Sequence, residues 1–563
     1  MKTNHGRGKV SSMVAMLLSM LAVVVIFAGA AVPAQAQTPT TLHSFQQGST
    51  DACEPEDNIV QGRDGNLYGV GVSCGTNGTG AVYKISTTGA ETIVFSFPST
   101  WSSCFSGLTI GSDGNFYGTC FTSPGGNGGI FKLTPTGVFT DLHDFNAVNG
   151  DTEPVYGPIQ ATDGNFYGVT GFYPFSCGNV YKLTSAGVYT NLHTFSGSDC
   201  GPASSLFQAS DGNLYGTLFA CAINSGIGAG CVYKISTAGV FKEIFAFSSA
   251  TGQQPCTGVI QAKNGSLYGA TQAGAANNFG SIYKLTTAGV FTDLHDFNNT
   301  TDASCGTNVG RTNVNLVQVN DGAFYGVNGI NGPAGEGSIY KLTSTDVFTD
   351  FLFPSPPVDG AAPLSTLLQN TNGLLYGTTP SGGPTSCNPC QGVFYSVATG
   401  DAAFVNLEPT QRTGPVDAHV GMFGQGFSSG SVVKFGGVAS TSVMHSGTTY
   451  LTAVVPVGAH TGAVTVTTGS TTLTSPQTFK VRPKITSFSP SSGSIGTLVT
   501  INGSGLIQAT AVKFGTVAAT TFTVVSDAEV TADVPSGLSP GAVTISITTP
   551  GGTANSPTMF TVN

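Results

Sequence analysis

The apolar residues of this chain fall into short runs separated by glycine, asparagine and aspartate. Beyond the N-terminal segment no stretch keeps a helical period. That texture predicts an all-β protein rather than a disordered one. The runs are also self-similar. Asp64-Gly65-Asn66-Leu67-Tyr68-Gly69 returns around Tyr117, Tyr167, Tyr215, Tyr268, Tyr325 and Tyr376, at intervals of 49, 50, 48, 53, 57 and 51 residues. Each copy has a second anchor further on: Val82-Tyr83-Lys84-Ile85 in the first, Ile339-Tyr340-Lys341-Leu342 in the sixth, Val393-Phe394-Tyr395-Ser396 in the seventh. A third anchor ends in an aromatic strand, as in Leu142-His143-Asp144-Phe145.

These anchors parse into four short strands per unit. The first strand precedes Asp-Gly, the second carries Leu-Tyr-Gly, the third Val-Tyr-Lys-Leu, and the fourth is exemplified by Val138 to Phe145. An Asp-Gly or Asn-Gly turn joins the first two, because glycine accepts positive φ and the Asp side chain bonds nearby backbone. A Thr-x-x-Gly turn joins the last two. Four antiparallel strands at a period near fifty residues describe a propeller blade, whereas a solenoid needs shorter repeats and capping units. Thr40-Thr41-Leu42-His43-Ser44-Phe45 is a fourth-type strand standing before the first unit. It is expected to complete blade seven and so remove the exposed edges of an open stack. The alternating Val/Thr strands after about Ala402 predict sandwiches instead. The expected fold is therefore all-β: a seven-bladed β-propeller over 37–402, then two immunoglobulin-like sandwiches over 403–482 and 483–563.

The N-terminus adds a leader. Lys2, Arg7 and Lys9 precede an apolar run from Met13 to Val32, and Ala34-Gln35-Ala36 supplies a small-x-small cleavage site. Residues 1–36 read as a signal peptide. The run approaches spanning length, so an uncleaved anchor is the competing reading. Cleavage leaves 16 Lys+Arg against 29 Asp+Glu. Such an acidic surface repels nucleic acid and anionic lipid, which disfavours nucleic acid as a partner, and no membrane span is expected after signal cleavage.

Twelve cysteines in an exported chain read as disulfides. All lie in or beside the connections between units or between second and third strands, which emerge at one end of an antiparallel blade. Offsets from the unit tyrosines predict Cys53–Cys74, Cys104–Cys120 and Cys200–Cys221, with Cys387–Cys390 inside one loop. No pairing is assigned to Cys177, Cys231, Cys256 or Cys305.

The paired anchors resemble the GloVer tandem repeat of bacterial surface and secreted proteins, over about residues 40–400. Membership implies export and no established activity. Lys484-Ile-Thr-Ser-Phe488-Ser-Pro490, Val512-Lys-Phe514-Gly515 and Val534-Pro535 resemble an IPT/TIG module. Leu407-Glu-Pro409, Val433-Lys-Phe435-Gly436 and Val455-Pro456 form a more degenerate copy.

Candidate chemistry is sparse. The Asp residues of the Asp-Gly turns tolerate Asn at 264 and 372, which fits turn chemistry rather than a metal ring. His43, His143, His193 and His295 share a place on the outermost strand and are too far apart to form one metal site. Glutamines stand seven residues before six of the seven tyrosines (Gln61, Gln160, Gln208, Gln261, Gln318, Gln369), with Ile110 the exception. These read as amides satisfying neighbouring backbone, or else as a polar channel lining. The acids of the inter-unit connections, Asp51, Glu54, Asp151, Glu153, Asp199, Asp302 and Asp359, are the binding candidates. They are suited to sugar hydroxyls or Ca2+, or alternatively to capping turns at a solvated rim. No nucleophile, phosphate-loop or zinc-protease motif occurs, and no catalytic residue or cofactor is assigned.

The expected function is that of a secreted or cell-surface, monomeric binding or scaffold protein, not an enzyme. It would hold an extracellular glycan, peptide or cell-surface component on its loop-rich face. The alternative is a polysaccharide hydrolase or lyase on the same scaffold, which the long loop from Asn298 to Asn315 with Arg311, and Glu336, would serve.

Overall fold

Each repeat folds as a run of hairpins. The computed structural model describes residues 38–563 apart from 49, 146–152, 172–176, 198, 222–228, 299–314, 330–336, 354–357 and 384–389. In the first sheet Val60–Gln61, Leu67–Gly71, Ala81–Ile85 and Glu91–Ser96 pair in chain order, all antiparallel. Among the described residues, 40–397 hold seven sheets of this kind. The seventh, Leu368–Gln369, Leu375–Thr379 and Cys390–Val397, takes Thr40–Gln46 as its fourth strand, with Thr40 opposite Ser396 and Gln46 opposite Cys390.

The Asp-Gly turn explains its own motif. Asp64 Oδ1 accepts the Asn66 N–H, its Oδ2 accepts the Tyr68 hydroxyl at 2.9 Å, and Gly65 sits at φ +82°. The same brace joins Asp113 to Tyr117, Asp163 to Tyr167 and Asp211 to Tyr215. Where asparagine replaces aspartate, Asn264 and Asn372 donate to Tyr268 and Tyr376 instead. The carboxylates are thus used locally.

One aromatic contact recurs between every pair of successive sheets. The phenylalanine following each fourth strand meets the aromatic ring of the next sheet's third strand: Phe97 on Phe131, Phe145 on Tyr181, Phe195 on Tyr233, Phe247 on Tyr283, Phe297 on Tyr340 and Phe353 on Tyr395. Phe45 on Tyr83, 5.3 Å between centroids, makes the same contact from the last sheet back to the first. Edge-to-face pairs of this kind add to the area they bury. The third-strand ring also lies over the glycine that follows each second-strand tyrosine. Gly69 is opposite Tyr83, and a Cβ there would collide with the Tyr83 hydroxyl. Second and third strands are buried on both faces, while fourth strands such as Phe139–Asp144 are the exposed edge.

Two sandwiches follow. In the first, Asn406–Leu407, His419–Phe423, Tyr450–Val454 and Val443–Ser446 face a sheet built on Gly462–Thr468 and Thr471–Val481. Leu407, Met422, Val433, Phe435, Leu451 and Phe479 fill its core. The second repeats the plan: Lys484–Ser489, Leu498–Ser504, Glu529–Asp533 and Phe522–Ser526 lie across Val499, Ile501, Phe514, Ile547 and Phe560. Each carries one short parallel pair at the same place, Thr413 with Lys480 and Ser492 with Thr561. Among the described residues no helix is long and apolar enough to cross a membrane.

Candidate functional site

Hairpin order sends the Asp-Gly and Thr-x-x-Gly turns to one end of the sheets, and the second–third loops and inter-sheet connections to the other. The four disulfides among the described residues all lie at that second, loop end. Cys53–Cys74 and Cys104–Cys120 form as the spacing predicts, with Cα–Cα distances of 5.4 and 3.9 Å. Cys200–Cys221 does not form. Cys200 joins Cys177 of the preceding sheet (4.2 Å) and Cys221 joins Cys231 (5.9 Å). The connection bearing Cys200 runs between two sheets, so a loop of the third sheet reaches it as readily as one of its own. The fourth sheet also starts its third strand with a cysteine, Cys231, where the first sheet has Ala81. Cys256 is disulfide-bonded too. Cys305 and Cys387, and with the latter the expected Cys387–Cys390 bridge, lie outside the described residues.

The candidate acids are spread over five connections. Glu54, at φ +53°, donates its N–H to Gln391 O at 2.9 Å, across the closing seam. The carbonyl of Glu153 accepts from Gly171 N–H and that of Asp359 from the Thr41 hydroxyl. Asp151 and Asp302 lie outside the described residues. Asp51 and Asp199 turn away from the loop end toward the exposed strand edges. Asp51 Oδ1 stands 3.6 Å from His43 Nε2, and its Oδ2 accepts the Gln46 N–H at 3.0 Å. Beside it, burial and then the Asp51 charge push the Glu91 carboxyl up to about 7, against His43 and the Ala52 N–H. Asp199 is hydrogen-bonded to Glu243, whose carboxyl is likewise raised to about 7, by burial first and the Asp199 charge second. His43, Asp51 and Glu91 bring three ligand-type atoms within 4.8 Å of one another; Cys221, Cys231 and Glu243 do the same, but there both sulfurs are spent in a disulfide. Sequence reasoning missed Glu91 and Glu243. Glu91 had a signal: its place on the fourth strand holds Phe139, Tyr189, Phe241, Phe291 and Phe348 elsewhere.

The glutamine belt satisfies backbone. Gln160, Gln208, Gln261 and Gln318 each accept an N–H from the preceding sheet's turn (Ser112, Thr162, Ser210, Lys263) and donate to a glycine carbonyl of their own turn. Gln61 bonds Thr371 of the seventh sheet. Gln369 donates to Asp401, which also accepts the Asn320 N–H. The exception, Ile110, is where the first sandwich docks. Ile110, Ile159 and Gln160 line a cavity of about 170 Å³ with Glu408, Pro409 and Thr410 of the 3-10 turn Pro409–Gln411.

The repeat is also matched as a family. The pattern of the Gloeobacter/Verrucomicrobia repeat covers residues 30–226 and 218–407, two tandem matches spanning most of the chain, and an IPT/TIG domain matches 483–562. This chain belongs to the Gloeobacter/Verrucomicrobia repeat family. The repeat region is followed by an immunoglobulin-like IPT/TIG domain. No curated protein matches the chain. Among solved structures it is similar to a virginiamycin B lyase from Staphylococcus aureus, solved with quinupristin (14% identity, 64% of this chain, 98% of that one, TM-score 0.41). It is similar to a fungal alcohol oxidase solved with copper (13%, 94% and 100%, 0.41). It is also similar to PorZ, a surface component of the type-IX secretion system of Porphyromonas gingivalis (13%, 75% and 59%, 0.38). In this Gloeobacter/Verrucomicrobia repeat protein the two ends of the sheets are thus unlike: one is docked by a sandwich, the other is braced by sulfur.

Proposed function

We propose that the seven sheets are the blades of a closed β-propeller, that 403–482 is a second, diverged IPT/TIG module, and that the whole is an exported, monomeric, non-catalytic binding protein. Its ligand is an extracellular glycan or another cell-surface component, held at the loop end. One observation carries this reading. The first sandwich takes the tight-turn end, through Arg63, Glu408 and Thr449, so the disulfide-braced loop end is the one it leaves open. Binding loops belong on a rigid scaffold, and bridges among loops supply rigidity that short strands do not. Disulfides also fit an oxidising compartment, hence export after cleavage near Gln37. Of the candidate acids, Glu54, Glu153 and Asp359 belong to the loop end.

The test is a glycan array and pull-down on insoluble polysaccharides with the chain beginning at Gln37. Saturable retention on one glycan class, weakened at least several-fold by Glu54→Gln or Glu153→Gln, supports the proposal. Depolymerisation of a polysaccharide by the same preparation, or retention unchanged in both variants and after reduction, overturns it.

A further inference from the structure

At the exposed edge, five of the seven seams repeat one stacked pair. Phe95 lies on Phe139, His143 on Tyr189, His193 on Phe241, Phe245 on Phe291 and His295 on Phe348, with centroids 3.8 to 4.8 Å apart and nearly parallel planes. At the seam where the last sheet meets the first, His43 takes the first position and Glu91 the second. A carboxylate there forfeits the stacking, so its presence calls for another partner.

His43 Nε2 and Asp51 Oδ1 are buried atoms whose polar neighbours are each other and the Glu91 carboxyl, with no donor or acceptor from outside this cluster. Such atoms are costly unless something satisfies them. They stand 3.6 Å apart, and the donor atoms of His43, Asp51 and Glu91 all lie within 4.8 Å of one another. Two ligands of a tetrahedral zinc ion, with bonds of ~2.1 Å, stand ~3.4 Å apart. Small side-chain rotations therefore suffice to close the set. Each donor is already oriented from behind: Gln46 N–H holds Asp51 Oδ2, Ala52 N–H holds Glu91 Oε1, and Phe45 packs edge-on to the imidazole at 4.9 Å.

We propose that His43, Asp51 and Glu91 bind one divalent transition metal ion of the zinc class at the closing seam of the ring. One imidazole and two carboxylates suit zinc, with water in the fourth position. Ca2+ requires six to eight oxygens and gains little from imidazole. The ion joins the closing strand Thr40–Gln46 to the first sheet, a seam that no disulfide crosses among the described residues.

The test uses the chain from Gln37, untagged by histidine and stripped with chelator, titrated with Zn2+ by calorimetry and followed by thermal unfolding. One Zn2+ per chain and a higher unfolding midpoint are expected, with affinity falling at least tenfold in His43→Gln and Glu91→Gln. Glu91→Phe rebuilds the ring pair of the other seams. It should fold with a midpoint no lower than the metal-free parent and bind no zinc at this site. Absence of stoichiometric zinc, binding unchanged in Glu91→Phe, or binding of Ca2+ without zinc overturns the proposal.

Discussion

Arg63 Nη2 stands 2.6 Å from Glu408 Oε1, joining the first sheet's tight turn to the first sandwich. The carboxylate is 4% exposed and also accepts the Tyr450 hydroxyl at 2.8 Å, while the guanidinium lies 4.6 Å above the Tyr450 ring and donates to Ser112 O. Arg63→Ala strands a buried charge. It should cost about 2–4 kcal/mol, read by denaturant unfolding, and open the 401–405 segment to limited proteolysis. Glu408→Gln, which keeps an acceptor for Tyr450, should cost less. The double variant Arg63→Ala/Glu408→Gln should cost less than the two losses added together.

Peptide mapping under non-reducing conditions should recover Cys177 with Cys200 and Cys221 with Cys231. Because the first of these staples two sheets, Cys177→Ala with Cys200→Ala should lower stability by about 2–4 kcal/mol. Finding Cys200 linked to Cys221 would contradict the arrangement.

Asp57 predicts a pH dependence. It is 5% exposed, accepts N–H groups from Gly107 and Asn58, and is pushed by burial up to about 7. The native chain thus holds this proton more tightly than the unfolded one, whose carboxyl titrates near 3.8. Unfolding releases the proton between those values, so stability falls as pH rises from about 4 to 7 and then levels. Asp57→Asn should remove this fall, with a difference between pH 5 and 8 on the order of 2 kcal/mol. Thermal midpoints of both proteins across that range provide the check.

Gly216→Ala tests the ring-over-glycine packing. The added Cβ would lie 2.5 Å from the Tyr233 hydroxyl, inside a seam buried on both sides. A loss of about 1–3 kcal/mol is expected from overpacking. Tyr233→Phe alone should be nearly neutral, since that hydroxyl is buried without a hydrogen-bond partner and Phe131 fills the corresponding place in the second sheet. Circular dichroism melts of the two variants separate these outcomes.

The sheets were legible because their cause is local. Alternation, Asp-Gly turns and the tyrosine period specify hairpins, and the pairing of Thr40–Gln46 with Cys390–Val397 followed from recognising a fourth strand out of place. The turn role of Asp64 and the backbone role of Gln208 were legible for the same reason: repetition in every unit points to architecture. What escaped lies across seams. The partner of Cys200, and the turning of Asp51 toward His43 and Glu91, depend on how sheets some fifty residues apart are stacked. Glu91 differs from its counterparts by one residue type, and a pattern search averages such single departures away.

The pairing of Thr40 with Ser396 imposes an order of events on synthesis. The Thr40–Gln46 segment has no permanent neighbour until some three hundred and fifty residues later, so it waits as an unpaired ribbon while six intermediate units form beside it. A contact that remote is slow to reach and leaves an adhesive edge uncovered meanwhile. Circular permutation that places this ribbon after Val397 would make it local, and the permuted chain should fold faster and aggregate less than the parent.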